Sequence, residues 1–120
     1  MRPIKSLDEL NMPEKQKAFL ANLLEYFKTY QKIERVLLFG SCARGSATSN
    51  SDIDLFIIGS ELTDDDEWEI VWNCPKWSDI DYVPFDLISG THSSYEDMSR
   101  IPGMLQHAIE LRGVDLSELL

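Results

Sequence analysis

From residue 13 onward the apolar side chains fall at Phe19, Leu20, Leu23, Leu24, Phe27 and Tyr30. This spacing of three and four keeps one face of a helix apolar. Glu14, Lys15, Lys17, Glu25, Lys28 and Lys32 supply the polar face, and Asn11 followed by Pro13 offers a cap and a first-turn proline. The pattern predicts a helix over 13–31. The period then changes. Val36-Leu37-Leu38-Phe39 is a continuous apolar run closed by Gly40, and Ile53-Asp54-Leu55-Phe56-Ile57-Ile58 is a second, stopped at Gly59. Both read as buried strands. Between them residues 41–51 are small apart from Arg44 and suit a tight turn, a short helix and a loop. Thr63-Asp64-Asp65-Asp66-Glu67 puts acid where a helix dipole favours it. Trp68, Val71 and Trp72 then give the inward face of a helix reaching about residue 73. Asp79 through Phe85 reads as a third strand, at an edge or ending at Pro84, which has no N–H for a ladder. Ser89–Ser94 reads as a loop. A last helix is expected from Pro102 to Leu111, with Met104, Leu105, Ala108, Ile109 and Leu111 inward and Gly113 as its stop. Residues 1–12 carry little pattern and suit an arm or a short helix.

No repeat and no linker divides these elements, so the expectation is one α/β (α+β) domain over 1–120, its core about 13–115, built on a small mixed β-sheet flanked by helices. Side chains alternate along a strand, which sets Asp52 and Asp54 on one face with Ile53 opposite. The first strand ends at Gly40-Ser41 and the second begins at Asp52-Asp54. If both ends serve one site, these two strands run antiparallel. The connection from the second to the third strand passes through a helix, which favours a parallel crossover. The third strand then also begins at that end of the sheet. Its early residues include Asp79 and Asp81, and Asp86 follows shortly after, so a third carboxylate arrives beside the first two.

Composition narrows the function. Hydrophobic residues make up 43% of the chain, with three Trp, five Phe and four Tyr, enough for a packed core. No apolar run approaches the ~20 residues of a membrane span, and the start lacks the apolar stretch of a signal peptide. Cys42 and Cys74 match no metal spacing and are too few for a disulfide framework, so a reduced, cytoplasmic protein is expected. The net charge of −10 argues against direct binding of nucleic acid, whose backbone is held by Lys and Arg clusters. Acidity suits the gathering of divalent cations or docking on a basic partner.

Clustered carboxylates need compensation. Two like charges ~4 Å apart repel by ~4 kcal/mol at an effective dielectric near 20, and either protons or cations must offset this. Mg²⁺ suits the task, because it takes one or two carboxylates together with substrate phosphates. A pair of such ions clamps the attacking and leaving oxygens in phosphoryl chemistry. Gly40 allows close backbone approach, and the Ser41 hydroxyl with the N–H groups that follow can donate to phosphate.

The string Leu38-Phe39-Gly40-Ser41-Cys42-Ala43-Arg44-Gly45, then Ser51-Asp52-Ile53-Asp54-Leu55, resembles the minimal nucleotidyltransferase branch of the polymerase-β superfamily. The resemblance extends to Asp79-Ile80-Asp81-Tyr82-Val83 and, more loosely, to His107–Gly113. It implies a polymerase-β-like nucleotidyltransferase core in which Asp52, Asp54 and Asp81 are the catalytic carboxylates and hold the metal, two Mg²⁺ ions in all. Gly40 and Ser41 would hold the β- and γ-phosphates, with Arg44 supporting the triphosphate or the turn. An acceptor hydroxyl attacks the α-phosphorus of the nucleotide, ATP by expectation, and pyrophosphate leaves. Small members of this branch look like antitoxins whose partner is a helical HEPN-type toxin, to which AMP is transferred. The resemblance thus points to a protein adenylyltransferase acting on such a partner. The alternatives are transfer to a small hydroxylated acceptor such as an aminoglycoside, aided by a homo- or hetero-oligomer, and an antitoxin that binds without chemistry. Ser51 reads as a turn residue, His107 as packing, Trp68 and Trp72 as core, and Tyr82 and Trp77 as core packing in preference to stacking on a base. His92 receives no role.

Overall fold

A computed structural model describes residues 1–74 and 82–120. Five strands form one sheet: β1 (Arg2–Pro3), β2 (Arg35–Phe39), β3 (Ile53–Ile58), β4 (Phe85–Gly90) and β5 (Val114–Asp115), in the order β1-β5-β2-β3-β4. β2 runs antiparallel to β3, and β3 runs parallel to β4. The sheet is therefore mixed, as the shared site and the helical crossover implied. β5 lies antiparallel to β2, and β1 parallel to β5. These two-residue strands carry no periodicity that a sequence could reveal.

The helices are α1 (Glu14–Phe27), the short α2 (Ser41–Arg44), α3 (Asp64–Asn73), α4 (His92–Ser99) and α5 (Leu105–Arg112), with single 3₁₀ turns at Leu7–Glu9 and Ser117–Leu119. Strand alternation sorts them to two faces. Val36, Leu38, Ile53, Leu55 and Ile57 pack with Phe19, Leu20, Leu23, Leu24 and Phe27 of α1 and Ile70 of α3. Leu37, Phe56 and Ile58 point the other way, to Tyr95 of α4 and Ile109 of α5. β3 is thus covered on both faces, which explains its near-continuous apolar sequence.

Several expectations are corrected. The first helix ends at Phe27 rather than near 31, and Pro13 occupies its cap position without a side-chain cap from Asn11. The strand expected over 79–85 is found at Phe85–Gly90, while Asp79, Asp81 and Trp77 lie outside the described residues. Pro84 explains the shift: it cannot donate to the ladder, but its carbonyl accepts from Ile53 N at 3.1 Å, so it precedes the strand. The expected loop at 89–94 instead closes β4 and opens α4, with Thr91 Oγ1 accepting from Ser94 N.

Trp68 and Trp72 are not core. They are 70% and 65% exposed and stack on each other with ring centroids 6.2 Å apart, while Ile70 carries the contact with the sheet. The last helix starts at Leu105 rather than Pro102, with Met104 as its N-cap; Met104, Leu105 and Leu111 are exposed and Ile109 is buried to 1%.

Gly113 serves a purpose other than a left-handed cap. A Cβ there would sit 2.6 Å from Ile109 O and 3.2 Å from Leu38 O, so glycine lets α5 hand the chain directly to β5 beside β2. Gly113→Ala is expected to destabilise the protein by about 2 kcal/mol, read as a lower midpoint with unchanged slope in urea denaturation.

Candidate active site

The site is assembled where three neighbouring strands share one end. Phe39, the last residue of β2, pairs with Asp54 of β3, and Asp54 in turn pairs with Asp86 of β4. Gly40 and Ser41 follow Phe39 immediately, and α2 starts at Ser41. The turn, Asp54 and Asp86 therefore lie side by side across three strands. Asp54 points to the face of the sheet that also carries Phe56, Ile58 and α5, since its parity along β3 is theirs.

Gly40 adopts φ +75°, a left-handed conformation that side chains avoid, and a Cβ on it would collide with Asp54 Oδ2. Any other residue at position 40 would both strain the turn and displace the carboxylate. Gly45, also in the left-handed region, closes α2.

Electrostatics mark the same spot. Burial raises Asp54 above the ordinary carboxylate range, and the neighbouring Asp86 and Asp52 charges push in the same direction. The Asp86 side chain is within hydrogen-bonding reach, and Arg44 acts in the opposite sense. This is a like-charge cluster whose repulsion Arg44 offsets only in part, since the net shift of Asp54 stays upward. Among the described residues no three metal-binding side chains are drawn together as a ready-made cage. The chemistry of the donors nevertheless fits a divalent cation: hard carboxylate oxygens, open to solvent at Asp52 and Asp86, beside a half-buried Asp54 whose proton affinity is raised first by burial and then by its two acidic neighbours.

Asp52 is fixed from behind by residues that carry no obvious signal. Gln16 of α1 is fully buried, and its Nε2 donates to Thr48 O at 2.9 Å and Ser51 O at 3.1 Å. The turn over 48–51 is closed further by Ser51 N to Thr48 O and by Thr48 N to Ser51 Oγ. Ser51 is thus the turn residue that its sequence context implied. Cys42 Sγ donates to Asp52 O at 3.5 Å. Burial, with Asp54 and Asp52 adding to it, pushes the Cys42 thiol up to about 11, so it stays a protonated donor at neutral pH. Gln16 falls on the inward face of the α1 pattern as a lone polar residue, and that was the one available sign of its role.

The remaining sequence candidates sort plainly. Gly40, Ser41, Arg44, Asp52 and Asp54 are brought to one end of the sheet. Asp81, expected as the third carboxylate, lies outside the described residues, and Asp86 holds the register position beside Asp54. His107 accepts a structural role, its Nδ1 2.8 Å from Ser99 O. His92 lies 3.5 Å from Glu34. Tyr82 packs edge-on against Phe19 at 5.6 Å.

A family profile describing a nucleotidyltransferase domain matches residues 20–111, which run from within α1 to within α5. A crystal structure of a candidate nucleotidyltransferase from Sulfolobus solfataricus superposes with a TM-score of 0.50 at 21% identity, covering 67% of this chain and 70% of the other, a likeness of fold. No curated protein matches the chain significantly.

Two expected outcomes follow from this geometry. In the folded protein Asp54 holds its proton to a higher pH than in the unfolded chain, so stability falls as pH rises from the ordinary carboxylate range through its raised value. Asp54→Asn should therefore raise the melting temperature at pH 7 in chelator by about 2–4 °C, a modest gain because the cluster is partly solvated. Mg²⁺ should raise the melting temperature of the wild type more than that of the variant. Gln16→Glu replaces a donor by a buried acceptor facing two carbonyls. It should cost about 3 kcal/mol at pH 7, partly recovered in acid where the carboxyl regains a proton, as read by denaturation at both pH values.

Proposed function

The chain belongs to the nucleotidyltransferase domain family, and from that premise we propose that it transfers AMP from ATP, with Mg²⁺, to a hydroxyl on a HEPN-type toxin partner. The observation that carries the catalytic part is the order of groups across the sheet: the Gly40-Ser41 turn beyond β2, Asp54 on β3 and Asp86 on β4. The turn and the third carboxylate flank Asp54 from opposite sides. That order suits a displacement in which the pyrophosphate lies toward Gly40 and the acceptor enters from β4.

In this reading the Gly40-Ser41 backbone and the Ser41 hydroxyl orient the β- and γ-phosphates, and Arg44 offsets their charge. Asp52, Asp54 and Asp86 would hold Mg²⁺, which when bound supplies charge neutralisation and polarises the phosphoryl oxygens. The acceptor oxygen forms a bond to the α-phosphorus, the bond from the α-phosphorus to the oxygen that bridges it to the β-phosphate breaks, and pyrophosphate departs with that oxygen. Asp86, on the acceptor side in this reading, would take the hydroxyl proton. Gln16 and Cys42 keep Asp52 in register through its backbone.

The partner part draws on the surface. A chain of net charge −10 presents the stacked Trp68–Trp72 pair amid Asp64, Asp65, Glu67 and Glu69. An acidic surface with exposed aromatic rings fits a basic protein such as an RNA-cutting toxin, because Arg side chains can pair with the acids and stack on the indoles.

Incubation with labelled ATP, Mg²⁺ and the protein encoded by the neighbouring gene should place AMP on that protein. Asp86→Asn should lower the rate at least ~100-fold, and a comparable loss found only in Asp81→Asn would move the third carboxylate to Asp81. Equal labelling by the wild type and an Asp52→Ala, Asp54→Ala variant would sink the catalytic reading. Equal neutralisation of the toxin by both would favour binding without chemistry, and label on an aminoglycoside instead would redirect the acceptor.

A further inference from the structure

On the face of the sheet that carries α4 and α5 lies a polar cavity of about 260 Å³, lined by Arg35, His92, Tyr95, Glu96, Ser99 and Glu110. That volume is well above the ~30 Å³ that one water occupies in the liquid. Helical spacing gathers four of these residues, since His92, Tyr95, Glu96 and Ser99 fall on one side of α4. The cavity lies away from the carboxylates described above. Arg35 opens β2, and Gly40 follows its last residue, Phe39. The strand from Arg35 to Phe39 covers roughly 13 Å at ~3.3 Å per residue.

The cavity borders a buried polar group that nothing satisfies. Tyr95 is only 4% exposed, and its ring meets Phe56 edge-on with centroids 5.3 Å apart. Its hydroxyl is buried and has no hydrogen-bond partner, whereas a buried tyrosine hydroxyl ordinarily finds one. Burial pushes the phenol up, the Glu110 carboxylate adds to this, and the Arg35 guanidinium opposes it. The hydroxyl is therefore a proton donor at neutral pH. Both groups that act on it line the cavity, so the hydroxyl end of Tyr95 is the end that borders it.

The charged walls are held in advance. Arg35 Nη2 lies 3.1 Å from Asp115, His92 lies 3.5 Å from Glu34, and Glu96 lies 2.9 Å from Arg100. Such preorganisation lowers the cost of binding. The lining selects against simple ions. An anion such as phosphate meets the Glu96 and Glu110 carboxylates. A plain cation offers no acceptor to the Tyr95 hydroxyl or to Arg35. A molecule that carries a carboxylate and an ammonium group on one carbon answers both needs.

We propose that this cavity is a second ligand site, which takes the zwitterionic head of a free α-amino acid. The ligand carboxylate accepts from the Tyr95 hydroxyl and from Arg35, and its ammonium group pairs with Glu110 and Glu96. The site stands apart from the nucleotidyl-transfer reading and needs neither nucleotide nor metal.

The test is thermal denaturation of the full chain with each common amino acid in turn, followed by calorimetric titration of any that raises the melting temperature. At least one should do so. Its amide and its N-acetyl form, each lacking one charge, should bind at least ~10-fold more weakly. Tyr95→Phe and Glu110→Gln should each weaken binding roughly 10-fold. Glu25→Gln makes the same change in net charge elsewhere and should bind as the wild type does. The Asp52→Ala, Asp54→Ala variant should also bind normally, which separates this site from the catalytic one. Without ligand, Tyr95→Phe should keep or raise the melting temperature, because no internal hydrogen bond is lost. The proposal is overturned if no amino acid shifts the melting temperature, if Tyr95→Phe binds as well as the wild type, or if the double alanine variant loses binding. A lower melting temperature of ligand-free Tyr95→Phe overturns it too, since the hydroxyl would then be bonded within the protein.

Discussion

The arrangement depends on a repulsion that the fold keeps in place. Asp54 is held against the Gly40 backbone on one side and beside Asp86 on the other, with Asp52 two residues earlier. None of these placements favours the folded chain when the carboxylates are charged. They persist because the strands that carry them are fixed by much larger apolar burial. Ile53, Leu55 and Ile57 are wholly buried against α1 and α3, and Phe56 and Ile58 against α4 and α5. The register that buries these five residues leaves Asp54 no other position. Stability supplied by the core is what permits a strained and repulsive edge, a common division in sites that await a cation and a substrate.

The rest of the site follows from that register. Close approach to Asp54 requires glycine at position 40, and the left-handed turn there directs the chain into α2. The loop returning from α2 to β3 must deliver Asp52 without room for its own core. It borrows one from α1 through Gln16 and from α2 through Cys42. Gly113 allows α5 to end against β2, so that Arg112 lines a cavity with Gly40 and Arg44. Residues from four separate segments thus meet around one glycine.

The surface away from the site shows a different economy. α3 spends one residue, Ile70, on the core and leaves Trp68 and Trp72 outward among acids. Indole rings exposed in this way contribute little to folding and much to association. Tyr26 compensates within the core layer, its hydroxyl donating to Ile70 O at 2.9 Å and tying α1 to α3.

The first helix, the two central strands and the Gly-Ser and Asp-x-Asp elements were legible in the chain, because periodicity and local turn chemistry act over a few residues. Even the pairings could be argued, the antiparallel one from the two strand ends sharing a site and the parallel one from the helical crossover. Other features required the folded molecule. The third strand was placed too early, since Tyr82 and Val83 look like strand while Pro84 postpones the ladder to Phe85. The outward turn of Trp68 and Trp72 reverses what an apolar pair at helical spacing suggests, because Ile70 alone meets the sheet. The two-residue strands β1 and β5 have no pattern at all, and their pairing depends on partners more than a hundred residues apart for Arg2 and Val114. By itself the sequence determined which residue types are suited to the proposed phosphate and metal chemistry, since those needs are local. Which carboxylate stands beside Asp54, and which arginine faces Gly40, was decided only by tertiary structure, because strand register and helix docking are set by burial summed over the whole core.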